Sequence, residues 1–220
     1  MHSHTPRGYS VAEEISHSAI HALGSHLGAA MLALLVVFGA QSGSQVPWKV
    51  VSGAVFGASI ILLYTVSSVY HAVTHPRAKQ ILEVCDHIAI YVLIAGSYTP
   101  FTLVTLRGAH PVLAWTIFGV VWGLTLAGVV FKVFTAGRLR ILSTLAYIGM
   151  GWIAAFAVKP LLAALPGAGF VWLVTGGCLY TLGTIFYLWR IMPYHHAVWH
   201  LFVLGGTVCH FFCILFYVMM

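Results

Sequence analysis

Seven stretches of this 220-residue chain are apolar over about the 20 residues that a helix needs to cross a bilayer. They cover roughly 18–40, 50–73, 88–106, 112–134, 139–158, 168–190 and 197–219. The charges and most of the prolines fall in the breaks: Trp48-Lys49, His75-Pro76-Arg77, Arg107 to Pro111, Lys132 to Arg140, Lys159-Pro160 and Arg190 to Pro193. Leu165-Pro166-Gly167 marks a further turn. Within hydrocarbon every backbone polar group must be satisfied internally, so such stretches are helices. The expected fold is therefore all-α, a seven-transmembrane helix bundle spanning 17–220 behind a polar tail at 1–16. Only 6% of residues are charged, against about 25% in soluble domains. Short connections predict antiparallel neighbours and leave no linker for a second domain.

Basic residues set the expected orientation. The tail and the second, fourth and sixth connections hold Arg7, Arg77, Lys79, Lys132, Arg138, Arg140 and Arg190. The opposite side holds Lys49, Arg107 and Lys159. The positive-inside rule then predicts a cytoplasmic N-terminus and, after seven spans, an outside C-terminus. The formal charge of +6 comes from cations scattered between apolar runs, which argues against nucleic acid as a partner. Met1 to Ser16 is polar, so no secretory signal is expected. Cys85, Cys178, Cys209 and Cys213 form no CxxC pair and read as small buried hydrophobes, although Cys209 and Cys213 stand one turn apart.

Ionisable groups at membrane depth are costly and mark candidate functional sites. His71 closes the second stretch, Asp86 and His87 open the third, and His196 and His200 open the seventh. All five fall on the side assigned to the cytoplasm. His196 and His200 are four residues apart, which puts both imidazoles on one helical face. A third histidine completes a three-nitrogen zinc site with the fourth position left for water, and His71 is the best placed. Asp86 can ligate, bind that water, or simply cap the third helix. Ser67, one turn before His71, can support the site or bond a backbone carbonyl. His195 reads as interfacial, and His210 lies deep enough to hydrogen-bond across helices.

A rival cluster stands at the N-terminus. Glu13, His17 and His21 follow steps of four and share one helical face, whereas His26 turns away from it. This is a second metal or proton site, or an interfacial segment whose histidines meet headgroups. A supporting role near the main site is expected for Glu14 and His21. His2 and His4 carry no expectation.

These runs resemble the hemolysin III family, the bacterial branch of the progestin and adiponectin receptor superfamily, in a wider group with the alkaline ceramidases. The resemblance is carried by Tyr70-His71 to His75-Pro76 and by Asp86-His-Ile-Ala-Ile-Tyr-Val-Leu-Ile-Ala-Gly-Ser-Tyr-Thr-Pro-Phe101. It continues in His196-Ala-Val-Trp-His200 through His210, and in Glu13 to Gly24. It implies seven helices with the N-terminus inside and a zinc site near the cytoplasmic face. It also implies site positions at Ser67, His71, Asp86, His196 and His200, none of which departs from the family pattern. The family name implies cytolysis, yet no amphipathic pore-forming segment is present.

The reading of function is a zinc-dependent hydrolase of a lipid amide or ester in the bacterial cytoplasmic membrane. His71, His196 and His200 would hold Zn2+, Asp86 would handle the proton of the attacking water, and Ser67 would steady a developing oxyanion. Tyr98, Thr99 and Pro100 would break or kink the third span and admit a membrane lipid sideways. Three other classes stay open: a non-enzymatic lipid sensor with a structural metal, a regulator of membrane composition acting through other proteins, and a cytolysin or pore. Gly176-Gly177 and Gly205-Gly206 permit close helix packing within one chain or between chains.

Overall fold

The computed structural model describes residues 8–135 and 138–220. Residues 1–7, with His2, His4 and Arg7, lie outside the described set, as do 136 and 137. The described residues form seven helices of membrane-spanning length and apolarity: α1 (Val11–Gln41), α2 (Val46–Ala72), α3 (Pro76–Leu106), α4 (Pro111–Thr135), α5 (Arg140–Ala164), α6 (Gly167–Leu188) and α7 (His195–Met219). Their outer faces expose Leu126, Phe134, Phe156 and Val171, each more than 60% accessible. Such a surface suits lipid and not water.

α1 starts ahead of its apolar run because Ser10 and Glu13 make a reciprocal capping box. The Ser10 hydroxyl accepts from the Glu13 N–H at 3.2 Å, and the Glu13 carboxylate accepts from the Ser10 N–H at 2.9 Å. α3 likewise begins at Pro76, with His75 as its cap, well before the apolar run near 88. Asp86 therefore sits inside α3, and the expectation that it caps the helix is wrong. The helix also runs on through Pro100 as a π-helical segment, Phe101–Leu106, where a break or a kink was expected. A proline lacks one N–H, and the wider turn absorbs that loss without ending the helix.

α1, α2, α3 and α4 pack as successive neighbours, and α6 packs along α7. α5 departs from the expected order: it rests mainly on α3, and Lys132 at the end of α4 donates to Ser143 Oγ at 2.6 Å. The α1–α2 seam is close because a side chain at Gly24 would strike the Tyr64 ring at 2.6 Å, and one at Gly57 would strike Leu32 at 2.7 Å. α7 returns against α1. That closure brings the starts of α1 and α7, the end of α2 and the first turns of α3 to one end of the bundle.

Candidate metal centre

The histidines predicted from the sequence meet at that end. His71, His196 and His200 are all buried, and one ligand atom from each lies within 4.8 Å of the others. The i, i+4 spacing on α7 does what helical geometry requires, setting the His196 and His200 rings 4.5 Å apart. The last turn of α2 supplies the third ring, 5.3 Å from His196 and 5.2 Å from His200.

Two further imidazoles from α1 join them. His17 stands 4.7 Å from His71 and 4.8 Å from His196, and His21 stacks on His200 at 3.6 Å with the rings 11° from parallel. Glu14 completes the group. Its Oε2 accepts from His71 Nδ1 at 2.6 Å, and its Oε1 accepts from Lys79 Nζ at 2.6 Å. Glu14 and His21 thus stand beside the three histidines. Glu13 is drawn off by the capping box and by the Tyr194 N–H at 3.1 Å, and His26 turns outward to the Ala22 carbonyl.

The chemistry of this nest is legible in what its atoms lack. Both ring nitrogens of His17, His21, His196 and His200, together with His71 Nε2 and Ser67 Oγ, are buried with no hydrogen-bond partner. Buried polar atoms are almost always paired, so such a concentration calls for a missing partner. A cation answers it, since neutral imidazole is a common ligand of zinc, copper, iron and nickel. His71 is already prepared: the carboxylate on Nδ1 fixes its tautomer and leaves Nε2 as the donor, as in carboxylate–histidine–metal triads. The donor set fits a metal ion; its identity is not fixed by the donors.

Asp86 is buried beside Ser67 and faces a cavity of about 120 Å³ that also touches His21. A second cavity of about 240 Å³ adjoins it along Ser97, Tyr98, Trp152, Gly177 and His210, and reaches Phe170 and Leu161. Both are lined almost wholly by apolar groups. His87 does not join the nest. It bonds to the Glu83 carbonyl at 2.7 Å and to the Tyr187 hydroxyl at 3.3 Å. His195 binds the Phe186 carbonyl at 2.9 Å, and His210 binds Leu173 O at 3.2 Å across to α6.

Tyr9 was not singled out by sequence reasoning. Its ring lies 4.8 Å from His17, 5.2 Å from His196 and 5.8 Å from His195, and so roofs the nest where the tail enters. Burial pushes its phenol up to about 12, so the hydroxyl stays neutral. A lone tyrosine before a helix carries no periodic signal; only the neighbouring Ser10-to-Glu13 capping box could have shown where the chain is fixed.

Comparison with known proteins gives the family. A family profile described as "Haemolysin-III related" matches residues 9–211. The chain belongs to the hemolysin III family. It is 50% identical over 209 residues to "Hemolysin-3 homolog" of Bacillus subtilis (strain 168), covering 95% of this chain and 96% of that protein. It is 45% identical over 209 residues to "Hemolysin-3" of Bacillus cereus, covering 95% and 93%. A more distant likeness, 28% over 173 residues, links it to human "Monocyte to macrophage differentiation factor", covering 76% and 70%. Seven apolar helices and bacterial hemolysin III relatives make this a multi-pass bacterial membrane protein with a possible histidine and glutamate metal cluster.

Proposed function

We propose that the protein is a zinc-dependent hydrolase of a membrane lipid amide or ester, with its centre near the cytoplasmic face. The observation that carries the reading is a group of three buried imidazoles, each with an unpartnered nitrogen, beside His21, which stacks on His200 and lines an apolar cavity together with Asp86. His71, His196 and His200 would hold the ion, with Glu14 fixing the orientation of His71. When bound, zinc supplies Lewis acidity and lowers the pKa of a water toward about 7. Asp86, on the cavity side, would orient that water and accept its proton. Ser67 Oγ, buried beside Asp86, would donate to the developing oxyanion. The two cavities would take the acyl chain and exclude bulk water from the reacting carbonyl. Trp152 lines both cavities and is 41% accessible, which supports lateral entry beside α5 and not at Pro100, whose surroundings are buried.

Two variants test this. Protein purified in detergent without chelator should carry zinc, and His196→Ala with His200→Ala should remove the ion from the three-histidine site. Asp86→Asn should retain metal and folding while lowering turnover of a lipid amide or ester by about 10²–10⁴-fold. A protein without stoichiometric metal, or turnover indifferent to Asp86→Asn, would sink the hydrolase reading and favour a sensor.

A further inference from the structure

The three-histidine site does not require His17, and yet His17 is fully buried among its members with both nitrogens unpartnered. Glu14, His17 and His71 form a second convergent group, with one ligand atom from each within 4.8 Å of the others. We propose that the nest takes a second divalent cation, held by Glu14, His17 and His71, next to the one held by His71, His196 and His200. This rests on the three-histidine metal reading above for its neighbour and does not depend on hydrolysis.

The distances favour ligation over a simple ion pair. His17 Nδ1 lies 3.7 Å from Glu14 Oε2. That is too long for a hydrogen bond. It is close to the separation of two ligand atoms on one tetrahedral ion, roughly 3.4 Å for bonds of about 2.0–2.2 Å. Glu14 divides its two oxygens: Lys79 occupies Oε1, while Oε2 faces both His71 Nδ1 and His17 Nδ1. Its carboxylate supplies the negative charge that a cation among neutral imidazoles needs. His71 has one nitrogen for each site, with Nε2 unpartnered and Nδ1 at Glu14. On bridging, the Nδ1 proton leaves to solvent, and His71 moves from the 2.6 Å hydrogen bond to a place beside Glu14 on the ion. Tyr9, 4.8 Å from His17, covers the second site on its outer side.

The test uses the full chain in detergent, stripped with chelator and titrated with zinc alone under equilibrium dialysis. Wild type should take up about two ions per chain, and Glu14→Gln with His17→Asn about one. Glu14→Gln alone, the milder change, should weaken the second ion by tenfold or more. Cobalt(II) loading gives an independent readout: the two-ion wild type should show spin coupling that His17→Asn abolishes. Saturation of wild type at one ion, unaffected by His17→Asn, overturns the second site and leaves the first standing. One ion whose cobalt spectrum changes with His17→Asn also overturns it, by making His17 a fourth ligand of a single centre. Failure to bind any zinc overturns both sites together.

Discussion

Single side chains carry the polar design of this bundle, and Thr207 shows how little slack there is. Its hydroxyl donates to the Val203 carbonyl at 3.0 Å, so it must accept from both Tyr64 and Tyr180, each 2.8 Å away. Thr207→Val keeps the shape and orphans two buried phenols. Thermal unfolding in detergent should show a loss of about 1–3 kcal/mol, whereas Thr207→Ser should stay near wild type. Residue identity was the most legible level of the sequence. His71, His196 and His200 were readable because a charged or imidazole group inside an apolar run has few ordinary explanations. Glu13 and Glu14 were harder to separate. Steps of four align Glu13 with His17, but Ser10 captures Glu13, and the neighbouring Glu14 turns to His71. Local capping competes with helical phase, and only the three-dimensional structure decides between them.

At the level of helices, the ends were less readable than the middles. Polar first turns hid the starts of α1 and α3, because hydropathy marks where a helix meets lipid, not where its hydrogen bonds begin. Asp86 changed meaning accordingly, from a candidate cap to an interior group facing a cavity. The π-helical end of α3 and the 3₁₀ segment Trp152–Ala157 inside α5 left no periodic signature, since each shifts the phase within a uniformly apolar run. The 3₁₀ segment is tied to α3, just ahead of its π-helical end, by one group. The Tyr98 hydroxyl donates to Gly151 O at 2.6 Å and accepts from the Ala154 N–H at 2.8 Å, and it also lies 3.1 Å from Met150 O. Tyr98→Phe removes the tie at the wall shared by both cavities. The expected outcome is a loss of about 1–3 kcal/mol in unfolding experiments, with faster hydrogen exchange confined to α5. Unchanged exchange there would mean that packing alone holds the segment.

For the whole molecule, the count of helices and the membrane class were open to reading from hydropathy, while the order of packing was not. Short connections suggested that α5 would lie along α4, and it settles on α3 and α6 instead. The orientation expected from the basic residues is checked directly. A cysteine at Gly8 should be labelled by an impermeant thiol reagent only after the membrane is opened, and one at Met220 should be labelled in intact spheroplasts. The reverse pattern would place the histidine nest on the outer side. The nest draws on the first, second and last helices of the chain, and Lys49 at the far end of α2 donates to the Met219 carbonyl at 3.0 Å. Synthesis runs from the N-terminus, so His17, His21 and His71 enter the membrane long before His196 and His200 exist. A ribosome stalled before α7 therefore leaves an open crescent of helices with half a nest. Synthesis of α7, and not any earlier step, is the moment at which the three-histidine group can come together, whereas Glu14, His17 and His71 can meet as soon as α1 and α2 are in place.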